Sequence, residues 1–362
     1  MILVDLLPYI GLLLLTVLVP LFVKNKKTYM FFLFLLFFVF CGFRYGVGWD
    51  YFNYANTIKN GGWRIERTEF LVRQLNIFCE NHGYAQFFFV ATSFFIILLF
   101  FLMFYLDSRA PVISVFVFLC IPTFFLNSLV LIRYFMAVSA VFLSLHFGYK
   151  KQYIPYFALL LVAFLCHRAS VFGLITVPFV LLKKEFSFKT NLILFITCFV
   201  LGTVVGSFSL FSSVFSFFAD TSLFGELFES GEQYVQDTGG ANFSKTPYVF
   251  ALINLINLFT FHKNNQNESD PLLGHYVTMY NIGCSLMFLL SFNAIFANRL
   301  SLFFTIFLTL IVPFYKKNTL PQMALYAICL FVFFYELTIK ASHPLFIGRQ
   351  NCWLPYMMNF SF

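Results

Sequence analysis

The sequence predicts an all-α protein that crosses a membrane many times. Of its 362 residues, 60% are hydrophobic and only 10% are charged, whereas an ordinary soluble domain has about 25% charged residues. Apolar runs of roughly 20 residues, the length that a helix needs to cross the hydrocarbon, recur along the chain. Stretches such as 31–40 are apolar at every position, whereas a membrane β-barrel strand alternates apolar and polar residues. Since lipid offers the backbone no hydrogen bonds, the spans are expected to be helices.

We predict about twelve transmembrane helices in a single transmembrane domain covering residues 1–362. The predicted spans are 2–23, 28–43, 86–106, 110–126, 129–149, 152–166, 169–182, 190–206, 246–261, 272–292, 299–315 and 320–339. Two longer segments interrupt them, 44–85 as the first extracytoplasmic loop and 207–245 as the second. The acidic second loop suits either a mobile lid over a polar groove or an ordinary solvated connector. The 58 phenylalanines are expected to fill lipid-facing positions.

Positive charge predicts the orientation of these spans. The turns placed on the cytoplasmic side hold most of the lysines, which puts both chain ends outside. Eight of the nine arginines fall on the opposite face, at positions 44, 64, 67, 73, 133, 168, 299 and 349, and Arg109 falls on the cytoplasmic side. The positive-inside rule does not account for arginine on the outer face. A guanidinium grips phosphate through two parallel hydrogen bonds, so arginine on the outer face favours an anionic ligand.

Four elements that are far apart in sequence place cations at one predicted depth, near the outer boundary of the membrane. They are Arg44 at the end of span two, Arg133 a turn or more inside span five, His167-Arg168 between spans six and seven, and Arg299 at the start of span eleven. An arginine within a span is costly and is a functional candidate by default. The alternative is that each arginine extends to the lipid headgroups. The histidine could serve as an acid or base near neutral pH.

A glycine- and aromatic-rich segment directly follows Arg44, with the sequence Gly46-Val47-Gly48-Trp49-Asp50-Tyr51-Phe52-Asn53-Tyr54. Aromatic faces stack on sugar rings, and carboxylate and amide groups bind hydroxyls. The glycines match neither a phosphate-binding loop nor a dinucleotide fingerprint. The alternative is a turn followed by an aromatic belt at the membrane interface.

These residues, in this order, resemble the EpsG-like branch of the bacterial Wzy-type polysaccharide polymerases. The matching pieces are Phe43 to Tyr54, Thr68-Glu69-Phe70, Arg133 to Ala137, Ala163 to Ser170 and Asn298-Arg299-Leu300, over residues 43 to about 315. Two positions depart from the family pattern. Tyr134 stands where the family often has Gln, and Thr68-Glu69-Phe70 stands where it often has Glu-Pro-Gly.

The resemblance implies a GT-C-like fold and a reaction at the periplasmic face of the bacterial inner membrane. A growing glycan, carried on undecaprenyl diphosphate, would be transferred to the next lipid-linked repeat unit, as in O-antigen or exopolysaccharide synthesis. The lipid diphosphate would leave, and fixed guanidinium groups would stabilise its charge. The acceptor hydroxyl requires a base, for which Asp50, Glu69 and His167 are candidates.

The resulting site prediction has two parts. The expected catalytic residues are Arg44, Arg133, His167, Arg299 and Asp50. The expected substrate-binding residues are Gly48, Trp49, Tyr51, Tyr54, Glu69 and Arg168. The expected partners are the undecaprenyl-diphosphate-linked oligosaccharide and the lipid bilayer, with a chain-length regulator left open and no nucleic acid. Neither a metal nor another cofactor is expected, since the cysteines show no metal-ligand spacing.

Two other functions remain open from the sequence. A ligase that passes the finished glycan to a lipid core would need a similar site. A flippase or other transporter would more often hold its polar residues near mid-membrane between repeated halves. We rank transport last, because the predicted cations gather at one face and no repeat is visible.

Overall fold

The computed structural model describes residues 2–60, 68–205, 246–264, 272–291, 294–317, 319–338, 352–354 and 356–360. These residues are almost entirely helical and include one two-stranded sheet, which agrees with an all-α membrane protein. Within these described residues, the stretches long and apolar enough to cross a membrane are Val4–Phe22, Ala85–Asp107, Ile132–Tyr149, Ala297–Phe314 and Leu320–Thr338. Shorter apolar helices accompany them. The number of twelve spans stays a prediction.

The elements follow in chain order. They are α1 (Ile2–Phe22), α2 (Lys26–Gly42), β1 (Arg44–Tyr45), α3 (Tyr51–Asn60), α4 (Phe70–His82), α5 (Ala85–Asp107), α6 (Pro111–Cys120), α7 (Phe125–Val130), α8 (Ile132–Tyr149), α9 (Tyr153–Cys166), a 3-10 helix (Arg168–Ile175), α10 (Thr176–Leu182), α11 (Phe188–Val200), a π-helical turn (Leu201–Val205), α12 (Thr246–Asn264), α13 (Leu273–Leu289), α14 (Ala294–Thr305), α15 (Leu308–Ile311), a 3-10 turn (Val312–Phe314), α16 (Leu320–Thr338) and β2 (Met357–Met358). The chain divides into two compact units, the first with residues 1–171 and 312–362 and the second with residues 172–311.

Phenylalanine forms much of the core of the first unit. Helix α8 packs against α5 and α9, and α5 packs against α2. The Phe100 ring of α5 lies 4.8 Å from Phe118 of α6 and 5.8 Å from Phe142 of α8, measured between ring centroids. These three rings are fully buried. The expectation that phenylalanine mainly fills lipid-facing positions is therefore wrong for this part of the chain, where aromatic rings fill the spaces between helices.

Buried amides and a close helix contact characterise the second unit. Asn254 of α12 donates to Asn281 of α13 at 2.7 Å, and the Asn281 amide donates to Asn191 of α11 at 3.1 Å. Such interhelical hydrogen bonds hold apolar helices together where lipid provides no hydrophobic driving force. Gly283 brings α13 close to α14, because a Cβ there would lie 2.8 Å from the backbone nitrogen of Thr305.

Several predicted spans differ from the observed helices. Span four was expected to run to residue 126, but α6 ends at Cys120, since Pro122 keeps Ile121 extended (φ −95°, ψ 110°). The predicted span seven is a 3-10 helix followed by α10. Helix α14 begins at Ala294, so Arg299 lies within the helix rather than at its start. The predicted second loop, 207–245, lies outside the described residues.

Candidate functional site

Arg133 lies in the first turn of α8. The backbone departs from helical geometry at Leu131 (φ −83°, ψ 56°), and α8 begins at Ile132. The prediction that Arg133 lies a turn or more inside its helix is therefore wrong, since the apolar run that suggested it is divided between α7 and α8. The guanidinium Nη1 donates to Glu69 Oε2 at 2.6 Å, and 31% of the side chain is exposed. Arg133 is thus held in place while part of it remains accessible.

Glu69 connects Arg133 to the junction after α9. It occupies the N-cap position of α4, but its side chain does not cap that helix. Instead Oε2 accepts from Arg133, and Oε1 accepts from the backbone N–H of Arg168 at 3.3 Å. Burial raises the pKa of the Glu69 carboxyl, but the Arg133 cation and backbone N–H groups outweigh it, and the pKa lies below its usual value. Glu69 is therefore a carboxylate at neutral pH.

His167 ends α9 with an extended backbone (φ −160°, ψ 127°). Its Nδ1 lies 3.1 Å from the backbone nitrogen of Ala169 and 3.9 Å from Glu69 Oε1. Because a backbone N–H can only donate, Nδ1 accepts from Ala169, and the neutral ring carries its proton on Nε2. The Tyr134 ring meets the imidazole edge to face with centroids 5.1 Å apart. The geometry makes His167 a fixed Nε2–H donor.

Tyr54 and Asp50 complete this cluster from the segment around α3. The Tyr54 hydroxyl is hydrogen-bonded to Arg133, and its ring stacks on Phe88 with centroids 5.1 Å apart. Burial raises the pKa of the Tyr54 hydroxyl, Asp50 and Glu69 raise it further, and Arg133 opposes them. Asp50 Oδ1 accepts from the Asn53 amide at 3.3 Å. We call Tyr54, Glu69, Arg133 and His167, with Asp50 beside them, the Arg133 cluster.

Arg44 occupies a different environment in the same unit. Only 1% of the residue is exposed. Its Nη1 donates to the carbonyl oxygen of Cys41 and to Ser93 Oγ at 3.2 Å, and its Nη2 donates to the Leu129 carbonyl at 3.0 Å. The guanidinium also lies 5.1 Å from the centre of the Phe89 ring. Its surroundings are therefore protein carbonyls, a hydroxyl and an aromatic face.

Gly48 and Tyr51 belong to the surroundings of Arg44. Gly48 has φ of +96°, and a Cβ at this position would lie 3.0 Å from the Leu129 carbonyl oxygen. The position therefore requires glycine for conformation and for close packing. Tyr51 is 3% exposed, stacks on Phe89 with centroids 4.2 Å apart, and donates to Gln86 Oε1 at 3.0 Å. In this structure its ring faces are covered by protein.

The other predicted site residues do not all join one cluster. Trp49 and Arg168 are partly exposed in the first unit, and the Arg168 backbone binds Glu69. Arg299 is partly exposed on α14 of the second unit. The predicted outer arginines Arg64, Arg67 and Arg349 lie outside the described residues. Among the described residues, no three His, Cys, Asp or Glu side chains come together as a metal site.

Two residues that contact the Arg44 segment, Gln86 and Ser93, are missing from the site predicted from the sequence. Gln86 donates to the Gly42 carbonyl at 2.8 Å, and Ser93 accepts from Arg44. Both residues lie in the apolar helix α5, and a polar side chain in such a helix is the sequence feature that could have identified them. The described C-terminal residues, 352–354 and 356–360, also contact the segment around Arg44 and are likewise missing from the predicted site.

Comparison with known proteins identifies the family. A family model described as the EpsG family matches residues 27–358, which is most of the chain and includes the Arg44 segment, the Arg133 cluster and the C-terminal strand. The comparison with curated proteins and the comparison with solved structures each gave no match. Because the family model covers far more than half of its length, the chain belongs to the EpsG family.

Proposed function

We propose that this chain is an oligosaccharide repeat-unit polymerase, a glycosyltransferase of the bacterial inner membrane. It transfers a growing glycan from its undecaprenyl diphosphate carrier to the next lipid-linked unit on the periplasmic face. The observation that carries the proposal is the Arg133 cluster in a chain of the EpsG family, where a partly exposed guanidinium begins an apolar helix and is fixed by Glu69. A lipid-linked substrate explains why such a group lies at a membrane helix.

The reaction requires stabilisation of the departing lipid diphosphate. The bond from the anomeric carbon to the diphosphate oxygen breaks, the acceptor hydroxyl forms the new glycosidic bond, and negative charge collects on the leaving group. A guanidinium has five N–H donors, so Arg133 retains donors for phosphate oxygens beyond those used by Glu69 and Tyr54. Prealigned donors of this kind act mainly on the transition state.

The hydrogen bonds of the three candidates support one choice of general base. Both carboxylate oxygens of Glu69 already accept hydrogen bonds, Oε2 from Arg133 and Oε1 from the Arg168 N–H. His167 Nδ1 accepts from Ala169 N–H. We therefore assign deprotonation of the acceptor hydroxyl to Asp50, which is partly exposed next to Tyr54. His167 then acts as an Nε2–H donor to the substrate.

The direct test compares Arg133→Ala and Arg133→Lys in cells that lack the native gene. Loss of one transition-state donor typically costs about 100- to 1,000-fold in rate, so Arg133→Ala should leave single repeat units and few longer chains. Lys keeps the charge but loses the planar fork, so Arg133→Lys should restore chain length only in part. The glycan ladder is measured at matched levels of membrane-inserted protein.

The matched control is Lys59→Ala, which removes an exposed cation from the last turn of α3. It should leave the ladder unchanged. A normal ladder for Arg133→Ala would refute the assignment of Arg133. Retained lipid-linked polymer without transfer to the surface lipid, in cells lacking the gene, would indicate a ligase. Accumulation of substrate on the cytoplasmic face would indicate a transporter.

A further inference from the structure

The described C-terminal residues, 352–354 and 356–360, form backbone hydrogen bonds with the segment that begins at Phe43; we call them the C-terminal segment. Strand β2 pairs antiparallel with β1, with Arg44 opposite Met358 and Tyr45 opposite Met357. The Asn359 N–H donates to the Phe43 carbonyl at 2.7 Å. The Gly48 N–H donates to the Cys352 carbonyl at 2.9 Å. Two separate parts of the C-terminal segment therefore bind both sides of the turn at residues 46–48.

Aromatic contacts fix the C-terminal segment to α1 and α2. The Tyr356 ring stacks on Phe40 with centroids 4.1 Å apart, and its hydroxyl donates to the Phe40 carbonyl. Phe360 stacks on Phe43 with centroids 4.9 Å apart. The Tyr9 hydroxyl of α1 donates to the Trp353 carbonyl at 3.1 Å. Trp353 is 3% exposed, which shows that the C-terminal segment is packed into the unit.

The turn held in this way leads directly into the Arg133 cluster. Two residues after Gly48, Asp50 precedes α3, and Tyr54 lies one turn further along the same helix. The strand residue Arg44 meanwhile reaches the Leu129 carbonyl, shortly before α8 begins at Ile132. A change in the backbone of β1 would therefore move both the α3 side and the α8 side of the cluster.

We propose that the C-terminal segment is a positioning element of the catalytic site, which acts through the backbone N–H of residue 359 and the side chain of Tyr356. The inference rests on the proposed polymerase function. The segment acts on the Arg133 cluster through the β1–β2 pairing and the turn at Gly48. A misplacement of about 1 Å in a catalytic group can cost roughly 100-fold in rate, so this indirect support has a measurable consequence.

The first experiment removes one backbone donor. Asn359→Pro deletes the N–H that binds the Phe43 carbonyl, whereas Asn359→Ala keeps that N–H and serves as the matched control. Purified full-length protein is assayed for chain extension with lipid-linked oligosaccharide. For Asn359→Pro we expect kcat to fall about 10- to 100-fold per folded molecule, with KM changed by less than about threefold. Asn359→Ala should resemble the unmodified protein.

The second experiment restores the pairing covalently. Tyr45 and Met357 are exposed and directly opposite each other, so Tyr45→Cys with Met357→Cys should form a disulfide when oxidised. The eight native cysteines are all buried and should not compete. In the Asn359→Pro background, oxidation should recover most of the lost kcat, and reduction should remove it again. A purely structural role for the segment would not make kcat follow the redox state at constant folded protein.

The outcomes separate this inference from the function on which it rests. Failure of the two engineered cysteines to form a disulfide would overturn the pairing itself, whatever reaction the protein performs. Normal kcat in folded Asn359→Pro, or no recovery on oxidation, would overturn the positioning role. If Asn359→Pro does not accumulate, Tyr356→Phe, which removes only the hydroxyl bound to Phe40, must lower kcat at least about threefold for the inference to stand. Absence of chain extension by the unmodified protein would instead refute the proposed function.

Discussion

Arg44 and Arg133 lie in the same unit and have the same side chain, but their partners differ completely. Arg44 is 1% exposed and is surrounded by two main-chain carbonyls, a serine hydroxyl and a phenylalanine ring. Arg133 has 31% of its side chain exposed and binds a carboxylate. An arginine buried against protein acceptors supports structure, whereas one whose donors remain accessible can bind a ligand. Residue type and predicted depth alone do not separate the two cases.

Helix ends explain why Arg44 is stable where it is buried. Its acceptors lie near the carboxyl ends of two helices, Cys41 in the last turn of α2 and Leu129 in the last turn of α7. The carbonyl groups there lack intrahelical partners and carry partial negative charge, which favours a cation. Burial lowers the pKa of the Arg44 guanidinium, but arginine begins so far above neutral pH that it stays charged. We therefore infer a structural role for Arg44, in place of the direct contact with diphosphate that the sequence suggested.

The largest expected difference is between Arg44→Ala and Arg133→Ala in protein stability. Arg44→Ala leaves buried carbonyls without a donor and opens a cavity, at a cost of on the order of 3 kcal/mol or more. Arg133→Ala should cost about 1 kcal/mol, because Glu69 keeps the Arg168 N–H and the pair is partly exposed. Thermal unfolding in detergent and the amount of inserted protein measure this difference. Equal stability of the two variants, with both lacking polymer, would restore Arg44 to the catalytic site.

The second prediction concerns Gly48. Gly48→Ala should lower the free energy of unfolding by about 2 kcal/mol, since φ is +96° and the new Cβ would lie 3.0 Å from the Leu129 carbonyl. Gly46→Ala is the matched control, because its φ is +66° and its nearest neighbour is the Phe52 ring at 3.3 Å, which can shift. Gly46→Ala should lower the free energy of unfolding by about half as much as Gly48→Ala. A variant Gly48→Ala with normal stability but a slow rate would instead support the predicted role of Gly48 in substrate binding.

The third prediction compares two tyrosine hydroxyls only three residues apart. Tyr51→Phe removes the bond to Gln86 and should cost about 1 kcal/mol of stability, with an unchanged rate per folded molecule. Tyr54→Phe removes the hydroxyl that holds Arg133 and should slow chain extension about tenfold, with little effect on stability. Unfolding curves and single-turnover rates give both values for each variant. The same response from both variants would contradict the division between the Arg44 surroundings and the Arg133 cluster.

Much of the fold and part of the site could be predicted from the sequence, for identifiable physical reasons. Long apolar runs determine that helices form, and the pieces containing Glu69, Arg133 and His167 do come together. The buried state of Arg44 could not be predicted, because its partners Ser93 and Leu129 come from distant helices. The β1–β2 pairing could not be predicted either, since strands of two residues have no periodicity to detect.

The smallest predicted effect concerns the charge of Glu69, and its pH dependence has a definite sign. The pKa of Glu69 is lowered in the folded protein from its usual value of 4.5, so the ion pair with Arg133 stabilises the fold fully above the unfolded pKa. This contribution is lost as the pH falls through the lower, folded pKa. Glu69→Gln keeps the shape but removes the charge, and it should cost about 1 kcal/mol at pH 7, because Arg133 is partly exposed.

The difference in unfolding midpoint between the unmodified protein and Glu69→Gln should therefore stay constant from neutral pH to about pH 5 and shrink below the usual carboxyl pKa. The matched control is Asp50→Asn, which removes a carboxylate from the same cluster without breaking the ion pair between Glu69 and Arg133. Asp50→Asn should slow the reaction while leaving this pH profile of stability intact. A stability difference for Glu69→Gln that persists well below the usual carboxyl pKa would mean that Glu69 acts through its shape and hydrogen bonds. Arg133 would then be held by packing, and the two arginines would differ only in how exposed their side chains are.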